Sequence, residues 1–323
     1  MKQKEATRVT LSNKWLSNDG HFCLTLFVAI VQSHAVKGED MNNICGAGLG
    51  FRREMLKELL PTLPSEVDFW EVAPENWIPL GGKYQEQFQQ ASSQASFTTH
   101  GLSLSIGSSD KLDVEFVKTV KRFLDINNIA LYSEHLSFCS GNGHMYDLMP
   151  IPFTEEAIKH VVSRIVQVQD IIERPLVLEN VSYYIAPGQE MDELEFTTRI
   201  LKESGCQMLL DVNNVYVNSI NHQYDAKAFI NGLPSDKIVY GHIAGHYDEA
   251  EDLKVDTHGA DVIEPVWDLL EHAYLTHGVF PTLLERDFNI PPLSELLAEV
   301  KKIKQIQEKC ELIRTTIVKG SVA

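Results

Sequence analysis

Eight times between Ile44 and Gln307 the chain repeats one pattern: a short apolar run, then an amphipathic stretch of helical period. The apolar runs are Ile44–Leu49, Val67–Val72, Phe97–His100, Ile129–His135, Pro175–Glu179, Gln207–Asp211, Lys237–His242 and Pro281–Glu285. Strands that alternate with helices predict a parallel sheet, and eight such units predict an α/β fold closed as a TIM (β/α)8 barrel. A doubly wound sheet is the alternative. It is disfavoured because no glycine-rich phosphate fingerprint follows the first run. The barrel is expected over residues 41–310, with a C-terminal tail at 311–323. The stretch Phe138–Pro152 carries Gly141, Gly143 and two prolines and is expected to be a lid or binding loop.

Residues 1–40 stand outside this pattern. Lys2, Lys4, Arg8 and Lys14 precede an apolar run, Phe22–Val31, that is too short to span a bilayer. It resembles a signal peptide with a poor cleavage site. The preferred reading is that Met41 is the true start and that residues 1–40 are a mis-assigned extension. No other segment is apolar enough to span a membrane. The five cysteines are scattered and lack CxxC spacing, which fits a reducing, cytoplasmic setting and offers no zinc ribbon. The formal net charge of −17, without a Lys/Arg cluster, disfavours nucleic acid as a partner.

The ends of the runs carry the chemistry. They read His100, Glu134-His135, Glu179-Asn180, Asp211 with Asn213-Asn214, His242 and Glu285-Arg286-Asp287, with Asp256 and His258 in the loop after His242. In a barrel these ends meet at one mouth, where barrel enzymes keep their active sites. Carboxylates that converge without counter-charge repel one another, and a metal ion resolves the repulsion. Imidazole and carboxylate donors without thiolate suit iron, manganese or zinc. Taken singly, His100 has the reading of a satisfied core histidine and Glu179 that of a solvated strand end. Recurrence at six strand ends is what argues for metal. His144, His160, His222, His272 and His277 lack strand-end placement and read as surface or helix histidines, with His246 the nearest to an exception.

A resemblance rests on seven motifs. They are Phe97-Thr98-Thr99-His100-Gly101, Ser133-Glu134-His135-Leu136, Leu178-Glu179-Asn180, Leu210-Asp211-Val212-Asn213-Asn214-Val215-Tyr216-Val217, His242-Ile243-Ala244-Gly245-His246, Asp256-Thr257-His258 and Leu284-Glu285-Arg286-Asp287. In this order, over about Ile44–Lys304, they resemble the multinuclear non-heme iron-dependent oxidative enzymes. That family was long catalogued as a domain of unknown function, and it includes the methanobactin-maturing enzyme. The resemblance implies a xylose isomerase-like TIM barrel holding two or three irons, mixed-valent, with dioxygen as co-substrate. It implies oxidative modification of a ribosomally made precursor peptide, often at cysteine, with a small partner protein that presents the peptide.

Carried over by motif, His100, His135 and Glu179 resemble one iron's ligands, and Glu179 a bridge to a second iron held by Asp211, His242 and Glu285. Asp256 and His258, with Asn214, resemble a third site. Glu134 stands where the methanobactin enzyme has Asp, so it is expected only to orient a ligand, as are Asn180, Asn213, Arg286 and Asp287. Two other readings stay open. One is a divalent-metal isomerase or phosphodiesterase of the xylose isomerase-like and endonuclease IV-like barrels. The other is a non-catalytic metal-binding scaffold.

Overall fold

The computed structural model describes residues 44–320 apart from Asn142. The expectations for residues 1–40 and for Ser321–Ala323 of the tail therefore lie outside the described residues. In chain order the strands are Ala47–Gly50 (β1), Phe69–Val72 (β2), Ser96–His100 (β3), Tyr132–His135 (β4), Ser137–Ser140 (β5), His144–Pro150 (β6), Val177–Glu179 (β7), Gln207–Asp211 (β8), Ile238–Ile243 (β9), Tyr247–Ala250 (β10), Leu253–Val255 (β11) and Thr282–Leu284 (β12). Strands β1, β2, β3, β4, β7, β8, β9 and β12 follow one another around a closed barrel, and β12 pairs back onto β1. Neighbouring strands in the barrel run parallel. The (β/α)8 expectation holds.

Side-chain alternation along each strand explains why the barrel closes. Phe69, Val177, Leu209, Tyr240 and Leu283 join Ile44 in one buried cluster, which fills the barrel interior. Their sequence neighbours Trp70, Leu178, Leu210 and Leu284 belong to the larger apolar cluster that also takes in the helices. Each such buried side chain is worth roughly 1.5–3 kcal/mol. β1 supplies small residues where Phe69 needs room: a Cβ on Gly48 would sit 2.4 Å from the Phe69 ring.

The helices start where acids or hydroxyls cap them. Asp113 opens Val114–Ile126, Thr154 opens Glu155–Ile172, and Asp192 opens Glu193–Ser204, each accepting from a first-turn amide. Three local expectations are corrected. The stretch expected to be a lid or binding loop is mostly an antiparallel hairpin, β5–β6, and the loop after His242 opens with a second hairpin, β10–β11. The closing helix, expected to end near Gln307 before a tail, runs Leu293–Gly320. A helix at Val212–Asn221 directly follows β8 and was not expected.

Candidate metal centre

The barrel's parallel register sets the donors side by side. His135 pairs with Glu179 across β4 and β7, and Asp211 pairs with His242 across β8 and β9. Among the described residues, three groups of donors have their atoms within 4.8 Å of one another: His100, His135 and Glu179; then Glu179, Asp211, His242 and Glu285; then His258, Glu285 and Asp287. Glu179 belongs to the first two groups and Glu285 to the last two. The mouth is thus a row of three potential sites joined by two shared carboxylates. It opens into a cavity of about 870 Å³ lined by His100, His135, Glu179, His258, Glu285 and Asp287 together with Phe51, Arg52, Trp77, Asp147 and Phe288.

In the first group, His100 Nε2 lies 3.2 Å from Glu179 Oε2 and 3.1 Å from His135 Nε2. Gly101 follows His100 because a Cβ there would meet Glu134 Oε1 at 2.3 Å. That Glu134 oxygen accepts from the Leu104 amide and the Tyr132 hydroxyl, which fixes the loop beside His100. Glu134 therefore supports the site rather than joining a donor group.

In the second group, Asp211 Oδ1 accepts from the Asn214 amide and caps the helix after β8, while Oδ2 has no hydrogen-bond partner among the described residues. Asn180 holds the Asp211 backbone at both polar atoms, donating to its carbonyl at 2.9 Å and accepting from its amide at 3.0 Å. His242 Nδ1 lies 2.9 Å from Glu285 Oε2 and 3.6 Å from Glu179 Oε1, and its Nε2 meets Glu71 at 3.1 Å.

The third group differs from the sequence expectation. His258 sits in the left-handed region, φ +48°, with its carbonyl held by the Asp287 amide at 2.9 Å. Its Nδ1 faces Glu285 at 3.2 Å and Asp287 at 3.5 Å, while Asp256 lies on the opposite ring nitrogen at 2.7 Å. Asp256 in turn accepts from Ser182 and Asn213. Asp287, expected only to orient a ligand, stands among the donors, and Arg52 pairs with it. Asn214 donates to the Asn180 carbonyl, its Oδ1 has no partner among the described residues, and it lines the cavity. Arg286 points away to Asp261 and Glu299. His246 is buried against Asn213.

Reading only the last residue of each strand missed Glu71. It is the third residue of β2, buried, and bonded to both Tyr240 and His242. The available signal was parity: Glu71 stands two residues after Phe69, as Glu179 does after Val177.

The electrostatics are those of crowded charge under low dielectric. Burial opposes a charge on His100, but the adjacent Glu179 carboxylate outweighs it and lifts the ring to about 9. Burial likewise opposes charge on His242 and His258. Glu71 and Glu285 around the first, and Asp256 and Glu285 around the second, raise both well above the usual range. Burial pushes toward neutral Glu179 and Glu285, yet the imidazoles hold both below the usual carboxylate range. Asp211 goes the other way: burial, then Glu179, raise it to about 8. Protonated imidazoles here balance the carboxylates, a part that a metal cation would take over.

Comparison with known proteins agrees with this fold. Solved barrels of similar shape include an L-ribulose 3-epimerase (TM-score 0.55, 12% identity, 84% of this chain and 97% of that one) and a xylose isomerase domain protein from Planctomyces limnophilus (TM-score 0.54, 10% identity, 84% and 99%). They place the fold among xylose isomerase-like TIM barrels. A UPF0276 protein of Shewanella loihica is 64% identical over 262 residues, 81% of this chain and 94% of that protein. One from Pseudomonas aeruginosa is 50% identical over 266 residues, covering 82% and 94%. Residues 46–308 match the family described as RiPP precursor modification enzyme MbnB/TglH/ChrH, whose members act on ribosomally made precursor peptides, and the chain belongs to that family.

Proposed function

We propose that the chain is a multinuclear iron enzyme that uses dioxygen to modify a ribosomally made precursor peptide oxidatively, at cysteine, with a small partner protein presenting the peptide. The observation that carries this reading is the row of three donor groups sharing Glu179 and Glu285. The donors fit metal. Asp211 Oδ2 is buried in the second group without a hydrogen-bond partner among the described residues, an arrangement costly for a polar atom unless something else satisfies it, and His242 Nδ1 and Glu285 Oε2 face each other at 2.9 Å beside it. Nitrogen and oxygen donors without thiolate suit iron.

His100, His135 and Glu179 would hold one ion, and Glu179, Asp211, His242 and Glu285 a second. A third would lie at His258 and Glu285, with Asp256 and Asp287 as the carboxylates nearest that ring and Asn214 beside it. Iron, when bound, supplies redox electrons and an open position for dioxygen. The protein's share is geometric. Shared carboxylates would set the spacing of the ions, Asn180 and Glu134 stiffen the strand ends, and the apolar layer beneath excludes water. The 870 Å³ cavity suits a peptide side chain and its flanking backbone.

The test is metal and oxygen stoichiometry. Protein purified anaerobically with ample iron should hold more than one iron per chain. It should consume dioxygen only with a cysteine-bearing peptide encoded beside its gene, and that peptide should change mass. One tightly held zinc without oxygen uptake would overturn the reading in favour of an isomerase or phosphodiesterase. Fully protein-coordinated metal with no exchangeable position would favour the scaffold.

A further inference from the structure

Behind the donor groups runs an unbroken line of hydrogen bonds. His100 Nδ1 lies 2.8 Å from Ser133 Oγ, and Ser133 Oγ lies 2.5 Å from the Tyr240 hydroxyl. The Tyr240 hydroxyl lies 3.0 Å from Glu71 Oε2, and the same oxygen lies 3.2 Å from His242 Nε2. All five residues are buried. The line starts on one donor group and ends on the next, using the ring nitrogen of each histidine that faces away from the shared carboxylate.

Counting hydrogens fixes the rings. Each hydroxyl has one hydrogen, and an ionised carboxylate only accepts. With an ion bound in place of the second ring hydrogen, His242 donates from Nε2 to the Glu71 carboxyl and leaves its Nδ1 lone pair for the ion, beside Glu285. Ser133 also lies 3.0 Å from the Thr99 carbonyl, which can only accept. With an ion on Nε2, beside Glu179, His100 Nδ1 donates to Ser133, whose own hydrogen then goes to Tyr240 or to Thr99. Were Ser133 to donate to Nδ1 instead, Nε2 would carry the hydrogen and could not ligate.

Two arrangements remain. In one, Ser133 donates to Tyr240 and Tyr240 to Glu71. In the other, Tyr240 donates to Ser133 and Ser133 to Thr99. Exchanging them rotates two hydroxyl hydrogens, moves no heavy atom and changes no net proton count. It alters whether Glu71 accepts from two donors or from one, and so how strongly it draws on the His242 hydrogen.

We propose that Ser133, Tyr240 and Glu71 form a strap that fixes opposite ring nitrogens of His100 and His242 as ligands and couples the two sites through hydroxyl rotation. This deepens the metal reading above and rests on it. Glu71 and Tyr240 are positioning residues, acting on the ions only through His242 and His100.

The experiment uses zinc as a diamagnetic probe in the full chain labelled with 15N-histidine, with long-range proton–nitrogen spectra to read each ring. The expected result is metal on His100 Nε2 and His242 Nδ1, with hydrogens on the other nitrogens. Glu71→Gln should weaken zinc by about 10–100-fold. It should also shift the His100 Nδ1–H resonance, although Glu71 does not touch His100. That remote shift should vanish when Tyr240→Phe or Ser133→Ala is already present, a coupling read by a double-mutant cycle. The ring centroids of His100 and His242 are only 5.1 Å apart, so the cycle is what separates transmission through the strap from a direct field. Ser133→Ala serves if Tyr240→Phe fails to fold, as judged by melting. The opposite nitrogens on zinc, or a His100 shift that persists in both broken-strap backgrounds, overturns the strap while leaving the metal reading standing. No metal bound by the unaltered chain overturns both.

Discussion

Two layers of the same barrel, two residues apart, could hardly differ more. The upper layer holds Glu71, His100, His135, Glu179, Asp211, His242 and Glu285. The lower layer holds Phe69, Thr98, Ser133, Val177, Leu209, Tyr240 and Leu283. Strand alternation points both layers inward. The lower layer is largely apolar and sealed, and that seal is why the upper one can keep charge away from bulk water. The exceptions teach more than the rule. Ser133 and Tyr240 bring hydroxyls to the lower layer just where they meet the backs of His100 and Glu71. At Ser133 and Tyr240, polarity below follows from ligand geometry above.

The sharpest break in that comparison is Glu179→Gln. The substitution keeps volume and removes the anion shared by two donor groups. Changes around metal ligands typically cost about 10–100-fold in affinity or activity, and a shared ligand should cost at least as much. Metal analysis should show fewer ions per chain and the spin-coupled iron signal should disappear. Retained coupling would remove Glu179 from the bridge.

Next comes Leu209→Ala, two residues below Asp211. Leu209 is fully buried in the barrel interior, so truncation should cost about 2–5 kcal/mol. Thermal melting should fall while metal stoichiometry stays. If Leu209→Ala lost metal in proportion to stability, the layers would be one cooperative unit and the distinction between them would fail.

The layers also explain what the sequence revealed. Strand–helix alternation and strand-end donors were legible because both follow from local periodicity. The barrel and the individual donors came directly from them, whereas the division of those donors into groups came from the family resemblance. The third group was not legible to the same degree. His258 lies in a loop with positive φ, and whether Asp256 or Asp287 faces a given ring nitrogen depends on loop geometry that spacing does not encode. The two hairpins were hidden for another reason. Their glycines and acids are turn chemistry, which masks the short arms that pair at Ser137↔Pro150 and Tyr247↔Val255. Glu71 was overlooked because Val72 ends its strand. Parity, rather than the terminal residue, is the better guide.

A smaller effect separates the mouth from a buried carboxyl elsewhere. Glu193 opens the helix Glu193–Ser204 and meets Asn218 at 3.3 Å. Burial raises it to about 7, despite hydrogen bonds from Tyr224, Tyr183 and Asn218 that pull it down. A carboxyl raised in the folded state adds stability below its unfolded value, and that contribution is lost as pH rises toward 7. Glu193→Gln should remove this slope between about pH 4.5 and 7 and leave the protein more stable above pH 7, by at most about 3 kcal/mol. Metal content should not change. Denaturant unfolding across that pH range checks it, and an unchanged slope would assign the pH dependence to other groups.

The smallest expected effect belongs to Asp248→Asn, and it tests whether geometry or mere acidity holds metal. Asp248 lies on the exposed hairpin β10–β11, close to the mouth in sequence but outside every donor group. It pairs with Lys254 at 3.0 Å and stands 3.6 Å from His246 Nε2, and 65% of its side chain is exposed. An exposed pair of this kind contributes within about 0.5 kcal/mol, screened by salt. The acidic run around it, Asp248, Glu249, Glu251 and Asp252, attracts cations only diffusely. If strand-end placement is what matters, Asp248→Asn keeps the full metal count, the coupled signal and peptide modification, and raised salt removes what little difference remains. Should Asp248→Asn cost metal as Glu179→Gln does, the ions would be held by the hairpin's charge, and the layered barrel mouth would not be their site.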